Sequence, residues 1–332
     1  MTSNTTNNRL SLTRFAWLSV AAAILTIVLK AVAYLLTNSV GLLSDALESL
    51  VNLIGALMAL AMLAIAARPA DKNHAFGHEK AEYFSSGFEG TLILVAAVSI
   101  AVAAIQRLIA PVNIGQIALG LGVSIAASVV NLFVALVLLK AGKRYHSVTL
   151  EANAQHLLTD VWTSAGVLVG VGAVALTGWQ RLDPIVALIV AANIVRTGAG
   201  VVRKSVLGLM DTALPVEEQE AIQQVLEQHG QADVQFHALR TRQAGARRFV
   251  SFHVIVPGAW TVHCGHQLIE RIEADLRRVL PNVTVSTHLE SMDDPASWSD
   301  LSLDRPAAAS VDPPTAPQQS SDKPADVPTR QQ

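Results

Sequence analysis

The sequence predicts an α-helical membrane protein, with six transmembrane helices followed by a cytoplasmic ferredoxin-like α+β domain. Three observations point there. Apolar residues pile up before residue 210 in runs longer than about 18 residues, and charges concentrate after it. Lys and Arg gather at one side of those runs. Beyond residue 210 the pattern switches to short helix and strand periodicities in the order αββαβ.

The first 13 residues are polar and lack the basic, apolar and small-residue succession of a cleaved signal peptide. Apolar stretches follow at about 15–37, 40–66, 83–109, 114–139, 148–177 and 185–209. Each is near or above the ~20 residues that cross a hydrocarbon core as a helix. Six crossings place both termini on one side. Arg9 and Arg14, then Arg68, Lys72 and Lys80, then Lys140, Lys143 and Arg144, then Arg203 and Lys204 mark that side as cytoplasmic by the positive-inside rule. The expected location is a cytoplasmic (inner) membrane, with the lipid bilayer as a constant partner.

Pro215–His229 reads as a helix, with Glu217, Glu218 and Glu220 early, where the helix dipole favours anions. Val234–Leu239 and Arg248–Val256 alternate as strands, the second in the order Phe249, Ser251, His253, Ile255. Cys264–Leu280 is amphipathic, and Val283–Leu289 is a third strand. This order predicts a small open sheet with both helices on one face. The expected divisions are an N-terminal segment at 1–13, a membrane domain at 14–209, a soluble domain at 210–291 and a tail at 292–332. The tail holds seven of the thirteen prolines among Ser, Asp, Ala and Gln, a composition that predicts disorder.

Composition narrows the function. Of 332 residues, 51% are hydrophobic and 15% charged, with net charge −2. Mean hydropathy is +0.40 and the pI about 6.5. A soluble domain carries about 25% charged residues. No basic surface for nucleic acid is implied. The single cysteine, Cys264, excludes a disulfide within the chain and any CxxC motif.

Ionisable residues inside lipid are costly and default to function. The second span carries Asp45, Glu48 and Asn52, and the fifth carries Asn153, His156 and Asp160, both with offsets of three and four that stack on one helix face. If the two faces meet, Glu48, Asn52, His156 and Asp160 form a four-donor pocket, with Asp45 and Asn153 beside it. With neutral His these four carry −2, which balances a divalent ion, and an N/O donor set suits Zn²⁺. The plain structural alternative is a Glu48–His156 contact without metal. Glu82 begins the third span, and Glu89 lies deeper as a proton-relay or structural group. Outside the membrane, Asp71, His74 and His78 have the D-x2-H-x3-H spacing of a loop site, or are incidental. Six of ten histidines fall between 229 and 288, an enrichment that suggests metal binding. His237, His253 and His288 lie on the expected strands and His266 on the second helix of that domain.

These residues resemble the cation diffusion facilitator family of divalent-metal/proton antiporters, closest to its bacterial zinc/iron efflux branch. The matching stretches are Ser44–Asn52, Pro69–His78, His156–Asp160, Met210–Pro215 and the nine residues from His237, and the resemblance covers residues 14 to about 291. The resemblance implies that Glu48, Asn52, His156 and Asp160 are the transport site and Asp71, His74 and His78 the loop site. It implies a cytoplasmic binuclear site of His237, His253, His266, His288 and Glu290. It further implies a Lys80–Asp211 charged interlock and a homodimer joined through the terminal domains. Two positions depart from the branch: Glu48 and Asn52 replace its usual carboxylate pair, and Glu290 stands where Asp is commoner.

The function expected is export of a divalent metal from the cytoplasm in exchange for protons, by alternating access around a midplane site. Zn²⁺ is first in order, then Fe²⁺, with Mn²⁺ and Co²⁺ open. Metal is both cargo and regulator, and no organic cofactor is expected. Ligands must be deprotonated to bind metal, and imidazole changes charge in the physiological range, so His156 is the expected switch. The rival readings are a membrane-bound metal sensor or scaffold that binds without transport, and a membrane enzyme. The second lacks H-E-x-x-H and any activated nucleophile.

Overall fold

The computed structural model describes residues 3–37, 40–110, 118–179, 181–230 and 233–298. Within these, side chains are described except at 3–11, 33–34, 36–37, 40–48, 51, 118–121, 124, 167–168, 170–175 and 183. Six long helices come first: α1 (Ser3–Thr37), α2 (Val40–Ala66), α3 (Ala81–Ile109), α4 (Ala118–Tyr145), α5 (Val148–Thr177) and α6 (Leu182–Leu209). The shortest has 27 residues, roughly 40 Å at the helical rise and ample for a ~30 Å core.

Two ends differ from expectation. The polar segment expected before residue 14 is helical from Ser3, because a helix already nucleated extends at the cost of one residue per hydrogen bond. α4 runs past 139 to Tyr145, and its expected start at 114 lies outside the described residues. Among the described residues, Leu12–Val32, Ala81–Ile109, Ile125–Tyr145 and Pro184–Leu209 are long and apolar enough to span a membrane. α2 and α5 are the two helices with polar stripes, and only Asn52–Ala66 of α2 joins them as a shorter apolar helix.

The bundle has two packing groups. α1, α2, α4 and α5 share a core that includes Ala16, Leu63, Leu138, Leu150 and Leu157. α3 and α6 pair through Ile93, Ala97 and Ile194. Gly90 allows this close pairing, since a Cβ there would come within 2.8 Å of a Val202 methyl and 3.0 Å of its amide nitrogen. α5 touches both groups, which places its polar face at the seam.

The terminal domain follows as α7 (Val216–His229), β1 (Gln235–Ala244), β2 (Arg247–Val256), α8 (Val262–Val279) and β3 (Val283–Ser291). The sheet order is β1-β2-β3. β1 is antiparallel to β2. β3 is parallel to it, as a crossover through α8 requires. Both helices cover one face, as expected. Ile222, Val225 and Leu226 of α7 and Leu268, Ile272 and Leu276 of α8 pack on Val250, Phe252, Val254 and Val256. The alternation read in the sequence, Phe249, Ser251, His253, Ile255, is therefore the face turned away from the helices. Phe249 and Ile255 are buried too, so β2 is apolar on both sides.

Glu218, expected to serve the α7 dipole, grips buried Arg248 with both oxygens at 2.6 Å. The expected end of the domain at 291 is overrun. The Met292 amide donates to Val256 O at 2.8 Å, and Pro295–Trp298 form a short 3-10 turn. The remainder of the predicted tail, 299–332, lies outside the described residues.

Candidate metal sites

Asn52 of α2 meets the polar face of α5. Asn52 Nδ2 donates to Asp160 Oδ2 at 2.5 Å, and His156 Nε2 lies 2.7 Å from Asn52 Oδ1. Asn52 and His156 are buried. A third helix joins from α4, where Asn131 Nδ2 donates to the same Asp160 oxygen at 3.2 Å. Two amides, one imidazole and one carboxylate thus converge, the N/O set that a borderline divalent ion accepts. The side chains of Asp45 and Glu48 lie outside the described residues. Asn153, expected beside the pocket, turns away instead. Its Nδ2 donates to Ser19 Oγ of α1 at 3.0 Å, so it joins α5 to α1. The metal-free Glu48–His156 contact likewise falls outside the description.

A cavity of about 380 Å³ runs between α3, α5 and α6. Ser86, Glu151, Gln155, Asn193, Arg196 and Lys204 are among its lining. Its α5 lining runs from Val148 to Gln155, and the cluster residues Asn52, His156 and Asp160 do not line it.

In the terminal domain the uncovered sheet face carries a second cluster. Register places His237, His253 and His288 side by side on β1, β2 and β3. Buried Glu290 is the hub: its Oε2 is 2.8 Å from His237 Nε2, and its Oε1 is 3.3 Å from His253 Nδ1. His237, His253 and Glu290 can offer donors to one ion. His288 is 63% exposed with Nε2 3.4 Å from Glu290. His266 does not join them. It lies on α8, on the opposite side of the sheet, 64% exposed and 4.0 Å from Glu270. Of the other histidines in this domain, His229 pairs with Asp275 at 2.9 Å and His263 with Gln267 at 3.0 Å.

The loop after α2 brings Asp71, His74 and His78 together. Asp71 Oδ1 is 3.2 Å from His74 Nδ1, and Oδ2 is 3.3 Å from His78 Nε2. The backbone amide of His74 also donates to Asp71, and this contact, despite partial burial and aided by the Asn73 amide and the His74 side chain, holds the Asp71 carboxyl below the usual range. The trio can hold one ion.

Two family profiles match the chain: a cation efflux transmembrane domain over residues 16–210 and a cation efflux protein cytoplasmic domain over 214–292. The chain belongs to the cation efflux, or cation diffusion facilitator, family. A protein described as an uncharacterized transporter of Synechocystis sp. is 50% identical over 284 residues, 86% of this chain and 92% of its own length. The cation-efflux pump FieF of Salmonella arizonae is 29% identical, covering 86% of this chain and 94% of its own length. FieF of Pectobacterium atrosepticum is 30% identical, with 81% and 89% covered. This cation efflux protein is thus a multi-pass membrane transporter with a cytoplasmic domain.

The two parts of this efflux protein are joined by a polar seam. Lys80 Nζ lies 2.9 Å from Asp211, the interlock expected from sequence. Asp211 sits at positive φ and also accepts from Arg242 at 3.2 Å. Partial burial pushes its carboxyl up, but the Lys80 and Arg242 contacts outweigh this and hold it below the usual range. Sequence reading missed the rest of the seam. Arg247 reaches buried Glu79 at 2.8 Å. The Gly245 amide, at the tip of the β1–β2 hairpin, donates to the Tyr83 hydroxyl at 3.2 Å. Glu82 is buried and accepts from Ser147 Oγ at 2.5 Å, which puts a carboxylate at the start of α5, where the dipole favours one. Asn131 was missed as well, although an Asn within the apolar run of α4 is the signal that could have found it.

Proposed function

We propose that this protein exports a divalent metal from the cytoplasm in exchange for protons, Zn²⁺ being the first candidate, then Fe²⁺, with Mn²⁺ and Co²⁺ following. The carrying observation is the convergence of Asn52, His156 and Asp160 from two helices inside the bundle. Glu48 is the fourth donor of this transport site. Efflux, the activity in the names of the FieF relatives, sets the direction.

Exchange follows from the chemistry of the donors. Metal and protons compete for the same imidazole and carboxylate lone pairs, so binding one releases the other. α5 lies between the α1–α2–α4 group and the α3–α6 pair, and rocking of one group against the other exposes the site to each side in turn. The cytoplasmic-side placement of both termini rests on the Lys and Arg distribution.

The Asp71–His74–His78 loop site and the His237–His253–Glu290 cluster bind metal as regulators, with His288 at the cluster's edge. The protein acts as a homodimer joined through its terminal domains, and Lys80–Asp211 with its neighbours transmits their state to the bundle. His266, outside the cluster of its own chain, is assigned to metal only in that dimer.

Full-length protein in proteoliposomes tests this. Zinc uptake should be driven by a pH gradient and abolished by Asp160→Ala. Zinc binding without flux would replace transport by a membrane sensor or scaffold. A monomeric mass with metal present would remove the dimer.

A further inference from the structure

α3 contributes no donor to the site proposed above, yet it brings a carboxylate to it. Glu89 is fully buried, and neither carboxylate oxygen has a hydrogen-bond partner among the described residues. Its Oε2 lies 3.5 Å from His156 Nδ1, a buried nitrogen likewise without a hydrogen-bond partner. The other ring nitrogen, Nε2, faces Asn52 and, through it, Asp160. The imidazole therefore stands between the donor cluster on one edge and Glu89 on the other. α2 is cut back to make room, for a Cβ on Gly55 would come 3.0 and 3.1 Å from the two Glu89 oxygens. A carboxylate in this setting is costly to bury, and a fold that keeps it has a use for it.

We propose that Glu89 is the positioning residue of the transport site. It accepts the Nδ1–H of His156 and so leaves the Nε2 lone pair for the metal. A neutral imidazole has one N–H, and the partner of one nitrogen decides the state of the other. In the structure the two edges compete. Asn52 spends its amide donor on Asp160, so its carbonyl faces Nε2 and favours a proton there. Glu89 pulls the proton to Nδ1. A metal arriving at Nε2 needs the second arrangement, and carboxylates behind ligating histidines supply it in metal proteins generally.

The inference rests on His156 and Asp160 being transport ligands, and the experiment keeps the two questions apart. Zinc flux is measured against zinc concentration in proteoliposomes with the full chain. Glu89→Ala should raise the half-saturating zinc concentration about 10–100-fold, the usual effect of losing such a partner, with maximal flux within about threefold. Glu89→Gln keeps a carbonyl that accepts the Nδ1–H and should recover most of the shift. In a His156→Ala background, Glu89→Ala should add nothing. The proposal is overturned by an unchanged half-saturation, by equal maximal-flux losses in both variants, or by a shift that persists without His156. Should Glu89→Ala fail to fold, Glu89→Leu, which keeps the volume but offers no acceptor, must raise half-saturation about 10–100-fold instead, and no shift overturns the proposal. Retained flux in Asp160→Ala would instead sink the transport reading itself.

Discussion

The cluster inside the bundle and the cluster on the terminal sheet use similar donors in opposite surroundings. Asn52 and His156 are buried in the bundle, whereas His237 and His253 are part-exposed and His288 is open. Charge in low dielectric is expensive unless it is paired. The bundle site therefore keeps its donors bonded to one another, Asn52 and Asn131 on Asp160 and His156 on Asn52. A metal there replaces bonds already made, which suits a cargo that must leave. The sheet cluster gathers three histidines on one carboxylate near water, which suits an ion that stays and reports.

The largest test of this contrast is Asp160→Ala. It should cut flux more than the ~10–100-fold typical of losing a group behind a ligand, and leave zinc on the terminal domain unchanged by metal analysis. If flux and terminal zinc fall together, the two sites are not independent. Next, Phe252→Ala empties the core between sheet and helices and should cost the terminal domain about 3–5 kcal/mol in denaturant unfolding. The helical signal of the bundle should persist at denaturant levels that unfold the domain.

Glu290→Ala should abolish the zinc-dependent gain in thermal stability of the terminal domain. That gain is about 2.7 kcal/mol at a hundredfold excess over Kd for a bound ion. Its unfolding without metal should move little. The smallest effect belongs to the seam. Asp211 is held below its ordinary range, so the stability from Lys80 and Arg242 is present above about pH 4 and lost as pH falls through the lower folded value. The pair is half exposed, so its worth is about 1 kcal/mol or less. Asp211→Asn should flatten the acid limb of a melting-temperature series between pH 7 and 3 and change nothing at pH 7 beyond that amount.

Much of this was written in the chain. Apolar length marked most of the membrane helices, and the offset from His156 to Asp160 put two donors on one face of α5, because helix geometry makes residues four apart neighbours. The loop trio was legible from its local spacing too, although a chain of turns, not a helix, brings Asp71, His74 and His78 together. What local spacing does not encode is which helix supplies the neighbour. Asn131 and Glu89 come from α4 and α3 and needed the packing. Asn153 had the right offset but found Ser19 first. On the sheet, β2 is apolar on both faces, so a period of two left open which face the helices cover. That choice puts the histidines of the three strands together and leaves His266 on the far side. The contacts of Arg242, Arg247 and Gly245 form only where the β1–β2 hairpin meets the start of α3 and the turn after α6, a meeting that local spacing does not encode.

In the proposed transport site α2 and α5 hold one metal ion between them. A chain carrying His74→Ala and Glu290→Ala removes the loop and sheet clusters, and zinc bound per chain is then measured with and without Asp160→Ala. Loss of one zinc on adding Asp160→Ala is the predicted result. An unchanged zinc content would contradict it.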